Sequence, residues 1–270
     1  MNRLVVCAAV LALLLPVTQG LAQTTKPWQT PGTRAGEEIV GPNGAKMVWV
    51  PAREFTMGSV DGPADEKPAH RVRISKGFWL GKTAVTLGQW KRYCRESGVP
   101  LKEEILSPTD DYPMDGLSWV DVRKYCRFYG LAMPTEAQWE YAARGSEGRT
   151  YPWGNWWDKN LCCNDDNVGP DGYTCPAGSY PKGVSWCGAL DMAGNLSTWC
   201  ADWYSETYYA SSPSADPTGP EKGTERVERG GYCWGDADEC RSARRFGDDP
   251  TNDGGSGSAR PCFTPVGTQG

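Results

Sequence analysis

Histidine is almost missing from this 270-residue chain; His70 is the single copy. That excludes paired imidazole chemistry, and since no Cys-x2-Cys pair exists, the usual spacing of a structural zinc site is absent as well. No stretch beyond residue 22 is apolar enough to cross a bilayer, so the mature chain is expected to have no membrane span. Positive charge is not in excess. With 28 basic against 33 acidic groups the net charge is −5 at pH 7, which argues against nucleic acid or an anionic membrane as the main partner. Internal repeats, coiled-coil heptads and low-complexity tracts are also lacking, and the chain is expected to act as a monomer.

The chain does carry a strong N-terminal pattern. Arg3 precedes an apolar run from Leu4 to Val17, and Gly20-Leu21-Ala22 offers small residues before Gln23, so residues 1–22 read as a cleaved secretory signal and the product as exported, periplasmic or secreted. Cys7 lies inside the apolar run and not at its end, which argues against a lipid-anchored cysteine. Ten cysteines remain after cleavage, and an even number in an oxidising compartment reads first as disulfides. Residues 23–44 are expected to be a flexible lead-in, 45–264 a single domain and 265–270 a tail. With 33 Gly, 21 Pro and 13 Trp, that domain should be built largely of irregular loops pinned by aromatic residues.

Three helices announce their starts. Thr86 with Gln89, Ser118 with Asp121, and Thr135 with Gln138 each place a capping hydroxyl three residues before a polar partner. The third helix should begin at Glu136 and stop at Gly145, with Trp139, Ala142 and Ala143 on its apolar face and Glu136, Glu140 and Arg144 turned to water. Trp90, Tyr93, Trp119 and Tyr125 read as core. Val48–Val50, Phe55–Met57 and His70–Ile74 read as short strands, the last with His70 on its surface.

The segment from Met133 to Asn155, MPTEAQWEYAARGSEGRTYPWGN, resembles the signature of the formylglycine-generating enzyme family, also called the sulfatase-modifying-factor domain. Further blocks lie in the family order: Met47 to Ser59, Glu66 to Trp90, Gly116 to Cys126, Gly188 to Tyr204 and Arg226 to Tyr232. The resemblance implies an α+β fold of the C-type-lectin-like kind with little regular secondary structure, stapled by disulfides. It also implies an oxidoreductase acting in protein or metabolite maturation, of the formylglycine-generating or pyoverdine-maturation type. The single histidine excludes the related sulfoxide synthases, which hold iron with three. By resemblance Cys126 pairs with Cys262, while the family's other such pair is replaced on both sides, by Ala143 and Ser242. One calcium site would use the side chains of Asn160 and Asp171 with the carbonyls of Leu161 and Tyr173. A second would use Asp191, the carbonyls of Gly194 and Leu196, and Thr198, where the family usually carries Glu. Calcium suits such loops because it accepts six to eight hard oxygens in irregular geometry.

The family's copper-binding cysteines follow a C-x4-C spacing after a Gly-Gly-Ser element. Here the candidates are Cys233 and Cys240, spaced C-x6-C, with Tyr232 in place of that Ser and Ser197 in place of an active-site Trp. The two thiols can be a reactive, copper-binding catalytic pair, since soft thiolates select Cu(I), or a local disulfide. Around them Tyr232, Trp234, Arg241, Arg244 and Arg245 form a candidate ligand surface, rich in the residue types that dominate recognition. The alternative to an enzyme acting on a protein or small-molecule substrate is therefore a non-catalytic, calcium-stabilised binding module that presents this surface to a protein or glycan.

Overall fold

The three helices begin and end at their punctuation. In the computed structural model, which describes residues 26–103, 105–169 and 172–266, α1 (Leu87–Ser97), α2 (Trp119–Phe128) and α3 (Glu136–Arg144) follow the N-caps Thr86, Ser118 and Thr135. The capping boxes at Thr86 and Thr135 are both closed by a glutamine, Gln89 and Gln138. The leader, residues 1–22, lies outside the described residues, as does Asp171.

The strands are short and arranged in three sheets. β1 (Glu38–Val40), β2 (Lys46–Val50), β3 (Arg53–Met57), β4 (His70–Ile74) and β5 (Phe78–Gly81) precede the helices. After them come β6 (Ser197–Trp203), β7 (Arg226–Arg229), β8 (Arg245–Asp248), β9 (Gly257–Ser258) and β10 (Cys262–Phe263). One sheet runs β1-β2-β5-β10, a second pairs β3 with β4, and the third runs β8-β7-β6-β9, with β9 parallel to β6. The C-terminal β10 thus returns to pair with β5, registering Cys262 opposite Leu80. Mixed α and β elements among long irregular segments agree with the expected fold class.

Residues 26–44, expected to be a flexible lead-in, are seated on the first sheet instead. β1 pairs with β2, and the Trp79 indole donates to the Thr30 carbonyl at 2.9 Å. A polar composition conceals this, because the anchoring atoms are backbone groups that composition does not report.

Two large apolar clusters fill most of the interior, with two smaller ones beside them. In one, the rings of Trp90, Tyr93 and Tyr125 pack between α1 and α2, with Trp90 stacked on Tyr125 at 5.4 Å. The other surrounds α3, whose Trp139, Ala142 and Ala143 are buried as their spacing predicts. The opposite face of α3 is also buried: Glu136, Glu140 and Arg144 are 1%, 0% and 8% exposed. Their expected exposure is corrected by the long-range contacts of α3 with β3, β4, β6 and β7, which cover the helix on all sides.

Candidate functional site

Four charged side chains join α3 to the sheet that carries the candidate site. Arg245 donates from Nε to Glu136 Oε1 at 2.6 Å and from Nη2 to Oε2 at 3.0 Å. Arg229 donates to Glu140 and also to the carbonyls of Ser242, Ala243 and Arg244. Burial alone would raise the Glu136 carboxyl, but Arg245 and Arg229 outweigh it and hold the group below its ordinary range. Arg245 is therefore a scaffold cation at 2% exposure. Arg241 is similarly occupied, bidentate on Glu66 at 2.8 and 2.9 Å and also paired with Asp238. Arg244 is half-buried over the Phe246 ring, and Tyr232 is half-buried with its hydroxyl on Glu239. Of the five ligand-surface candidates only Trp234 is broadly exposed, at 52%; its ring packs at a tilt against Tyr173, 4.8 Å between centroids, and its indole donates to the Gly172 carbonyl.

The structure does not bring Cys233 and Cys240 into one cluster. Cys240 packs with Cys162, Tyr151 and Ala193, whereas Cys233 packs with Cys163 and Cys175. Both are buried, at 1% and 0% exposure. Burial pushes the Cys233 thiol up to about 12, and the hydrogen bond with Cys162, with burial added, holds Cys240 protonated. Neutral, sequestered thiols are poor nucleophiles, and two thiols in separate clusters cannot share one ion. The residues present thus do not fit a copper pair at these positions, and a bond between the two is not what the packing favours. Cys126 and Cys262, each 2% exposed, are neighbours whose mutual influence adds to burial in raising the Cys126 thiol.

The metal-site candidates fall on two loops. Asn160 is exposed and gives its amide N–H to Asp158, which leaves the side-chain oxygen for a cation. The adjacent Leu161 carbonyl faces Gly183, and the Tyr173 carbonyl accepts from the Gly169 N–H at 2.9 Å. Asp158, Asp165 and Asp166 are nearby in sequence, but among the described residues no group of three His, Cys, Asp or Glu is arranged to hold a metal ion. In the second loop Asp191 is half-buried, with its carboxyl raised by desolvation and accepting from the Gly178 N–H at 2.7 Å. Gly194 donates to the Gly230 carbonyl, while Leu196 and Thr198 are 3% and 1% exposed. The Arg260 guanidinium donates to the Asp191 carbonyl, so a cation already serves that turn.

A groove of about 520 Å³ opens beside Trp234 and Tyr173, bounded by Lys102, Asp115, Tyr173 and the Asp253–Gly255 backbone. A larger hollow of about 760 Å³, lined by Ser59, Arg144, Glu147 and Arg241, lies by the scaffold cations, which are already paired. The smaller groove has the stronger chemistry at its edge. Next to Gly255 the half-buried Ser256 hydroxyl lies 3.2 Å from Ser197 Oγ, and Ser197 donates to Glu228 Oε2 at 2.6 Å. Glu228 Oε1 is buried and has no hydrogen-bond partner. Burial raises this carboxyl to about 7, although the Ser197 hydrogen bond opposes the shift. A near-neutral carboxyl linked through Ser197 to Ser256, whose chain neighbour Gly255 lines the groove, can take up or release a proton beside it. Gly257 permits the arrangement, since a Cβ at that position would lie 2.5 Å from Glu228 Oε1 and 2.1 Å from the Trp199 indole nitrogen.

Glu228 was not singled out from the sequence. The available signal was Ser197, a small hydroxyl where the resembled family has a tryptophan, which leaves room for a partner from the neighbouring strand.

Comparison with known proteins agrees with this architecture. The family model for the sulfatase-modifying factor enzyme 1-like domain matches residues 35–256. The formylglycine-generating enzyme of Streptomyces coelicolor is 33% identical over 279 residues, covering 78% of this chain and 86% of that protein. The serine/threonine-protein kinase Pkn1 of Chlamydia trachomatis is 35% identical over 233 residues, covering 76% of this chain but 36% of that protein. PvdO from Pseudomonas aeruginosa superposes with a TM-score of 0.76 at 24% identity, covering 86% of this chain and all of that one.

Proposed function

This chain belongs to the sulfatase-modifying factor family, and from that premise we propose that it is an exported oxidoreductase maturing a protein or metabolite, with Glu228, Ser197 and Ser256 as its acid–base centre. The observation that carries the reading is the near-neutral Glu228 carboxyl, linked through Ser197 to Ser256, the chain neighbour of the groove-lining Gly255. A substrate seated between Tyr173 and Asp253 would pass a proton to Ser256 as Ser256 passes its own to Ser197 and Ser197 passes its own to the ionised Glu228. Export through residues 1–22 and a structural calcium ion near Asn160, Leu161 and Tyr173 belong to the same reading. Calcium there would tie loop oxygens together without entering the chemistry.

The test uses an extract from a strain that lacks the gene, in which unmatured substrate accumulates. Purified protein is added, and oxygen uptake and product masses are followed against pH. Turnover rising with an apparent pKa near neutrality and lost in Glu228→Gln is the expected result; full turnover in Glu228→Gln would sink the assignment.

Trp234 favours a second reading, a binding module for a protein or glycan. Its exposed ring on Tyr173 is the kind of rigid aromatic platform that anchors a ligand. Retention of a component from the same extract by wild-type protein but not by Trp234→Ala, with no mass change, would favour that reading.

A further inference from the structure

The cysteines that the proposed chemistry does not use are arranged around two adjacent residues. Cys162 and Cys163 follow one another in the chain yet enter different clusters, one with Cys240 and the other with Cys175. Cys175 Sγ lies 2.7 Å from Cys163 Sγ, closer than separate thiols pack and longer than the ~2.05 Å covalent distance by well under an ångström. Cys240 packs in one buried cluster with Cys162. All four are buried among Tyr, Trp, Val and Ala side chains. Among the described residues no group of three His, Cys, Asp or Glu is arranged to hold a metal ion, so a thiolate metal site does not account for the clustering.

We propose that the adjacent cysteines form two separate disulfides, Cys162–Cys240 and Cys163–Cys175, leaving Cys233 as a free, buried thiol. The bonds clamp the 158–180 loop at two points. One ties it to the segment preceding β8, and the other closes the turn that carries Tyr173 against Trp234, a wall of the groove. Each bond forms when two thiols release two protons and pass two electrons to one disulfide of an external thiol–disulfide oxidant, which leaves as two thiols. Cys163 and Cys175 are the natural first pair to close, since their sulfurs already lie 2.7 Å apart. Cys233 has no such assistance, and its burial among the same residues protects it from exchange.

The exported chain is recovered from an oxidising compartment, unfolded in urea at mildly acidic pH with N-ethylmaleimide present so that buried free thiols are trapped, and cut with trypsin and Asp-N without reduction. These cuts separate residues 160–164, 171–182, 230–235 and 238–241, so that each partner sits on its own peptide. The expected product is one complex of peptides 160–164, 171–182 and 238–241, with Cys233 alkylated on peptide 230–235. In Cys162→Ala, Cys240 should become alkylated while the Cys163–Cys175 bond persists; in Cys163→Ala, Cys175 should become alkylated while the Cys162–Cys240 bond persists. Should a variant fail to fold, fragmentation of the wild-type complex between residues 162 and 163 gives the same assignment. Cys233 in any bond, peptide 160–164 closed on itself, the crossed pairing, or full alkylation of wild type each overturns the proposal.

Discussion

Replacing Arg229 by Met should test the scaffold beneath the site most severely. The substitution keeps the volume of a fully buried side chain but deletes its charge and its donors. Glu140, 0% exposed, would keep Arg144 and the Gly58 N–H on Oε1, while Oε2 would retain only the Tyr209 hydroxyl at 3.4 Å. The carbonyls of Ser242, Ala243 and Arg244 would lose their guanidinium donors at the same time. Breaking a buried ion pair from one side costs about 3–5 kcal/mol, and the stranded carbonyls place this case toward the upper end. For a domain of this size that corresponds to a Tm drop of roughly 6–20 °C. Calorimetry and urea unfolding at pH 7 measure it directly. Adding Glu140→Gln should return part of the loss, because the stranded charge is the larger penalty. A single variant within about 1 kcal/mol of wild type would refute the view that this network holds α3 to the sheet.

Other expectations follow from the same geometry. Glu228 titrates higher folded than unfolded, so between pH 4.5 and about 7 the native state binds more protons and stability falls as pH rises. Glu228→Gln should remove that component, up to about 3 kcal/mol across the window, making the variant more stable than wild type at pH 8; an unchanged urea midpoint against pH would contradict the buried-carboxyl assignment. Thr135→Ala should cost about 1 kcal/mol in equilibrium unfolding by opening the capping box at the start of α3. Chelation of calcium should lower Tm and re-addition restore it, with Asn160→Ala weakening the restoration; identical melting in EDTA and calcium would count against the ion.

Much of the local structure was legible in the chain. Capping hydroxyls at Thr86, Ser118 and Thr135, the stop at Gly145 and the alternation from His70 to Ile74 all mark element boundaries at their observed places. Trp90 and Tyr125 were legible as core, and the motif around α3 as a family signature. The charged face of α3 was not legible, because its partners Arg229 and Arg245 arrive from 89 and 109 residues away. The candidate site was only partly legible: Ser197 stood out, but nothing along the chain showed that Glu228 would meet it across two strands. The cysteine arrangement was hidden in the same way, since spacing favoured Cys233 with Cys240 while packing sets Cys162 beside Cys240.

The sequence by itself determined the helix starts, the short strands, the apolar faces and the family, because each depends on residues within a few positions of one another or on blocks preserved in order. The tertiary structure alone decided which charges are buried, which thiols meet and which carboxyl sits near neutrality. Those properties arise from desolvation and from partners brought together across the chain, and desolvation has no value until the fold has excluded the water.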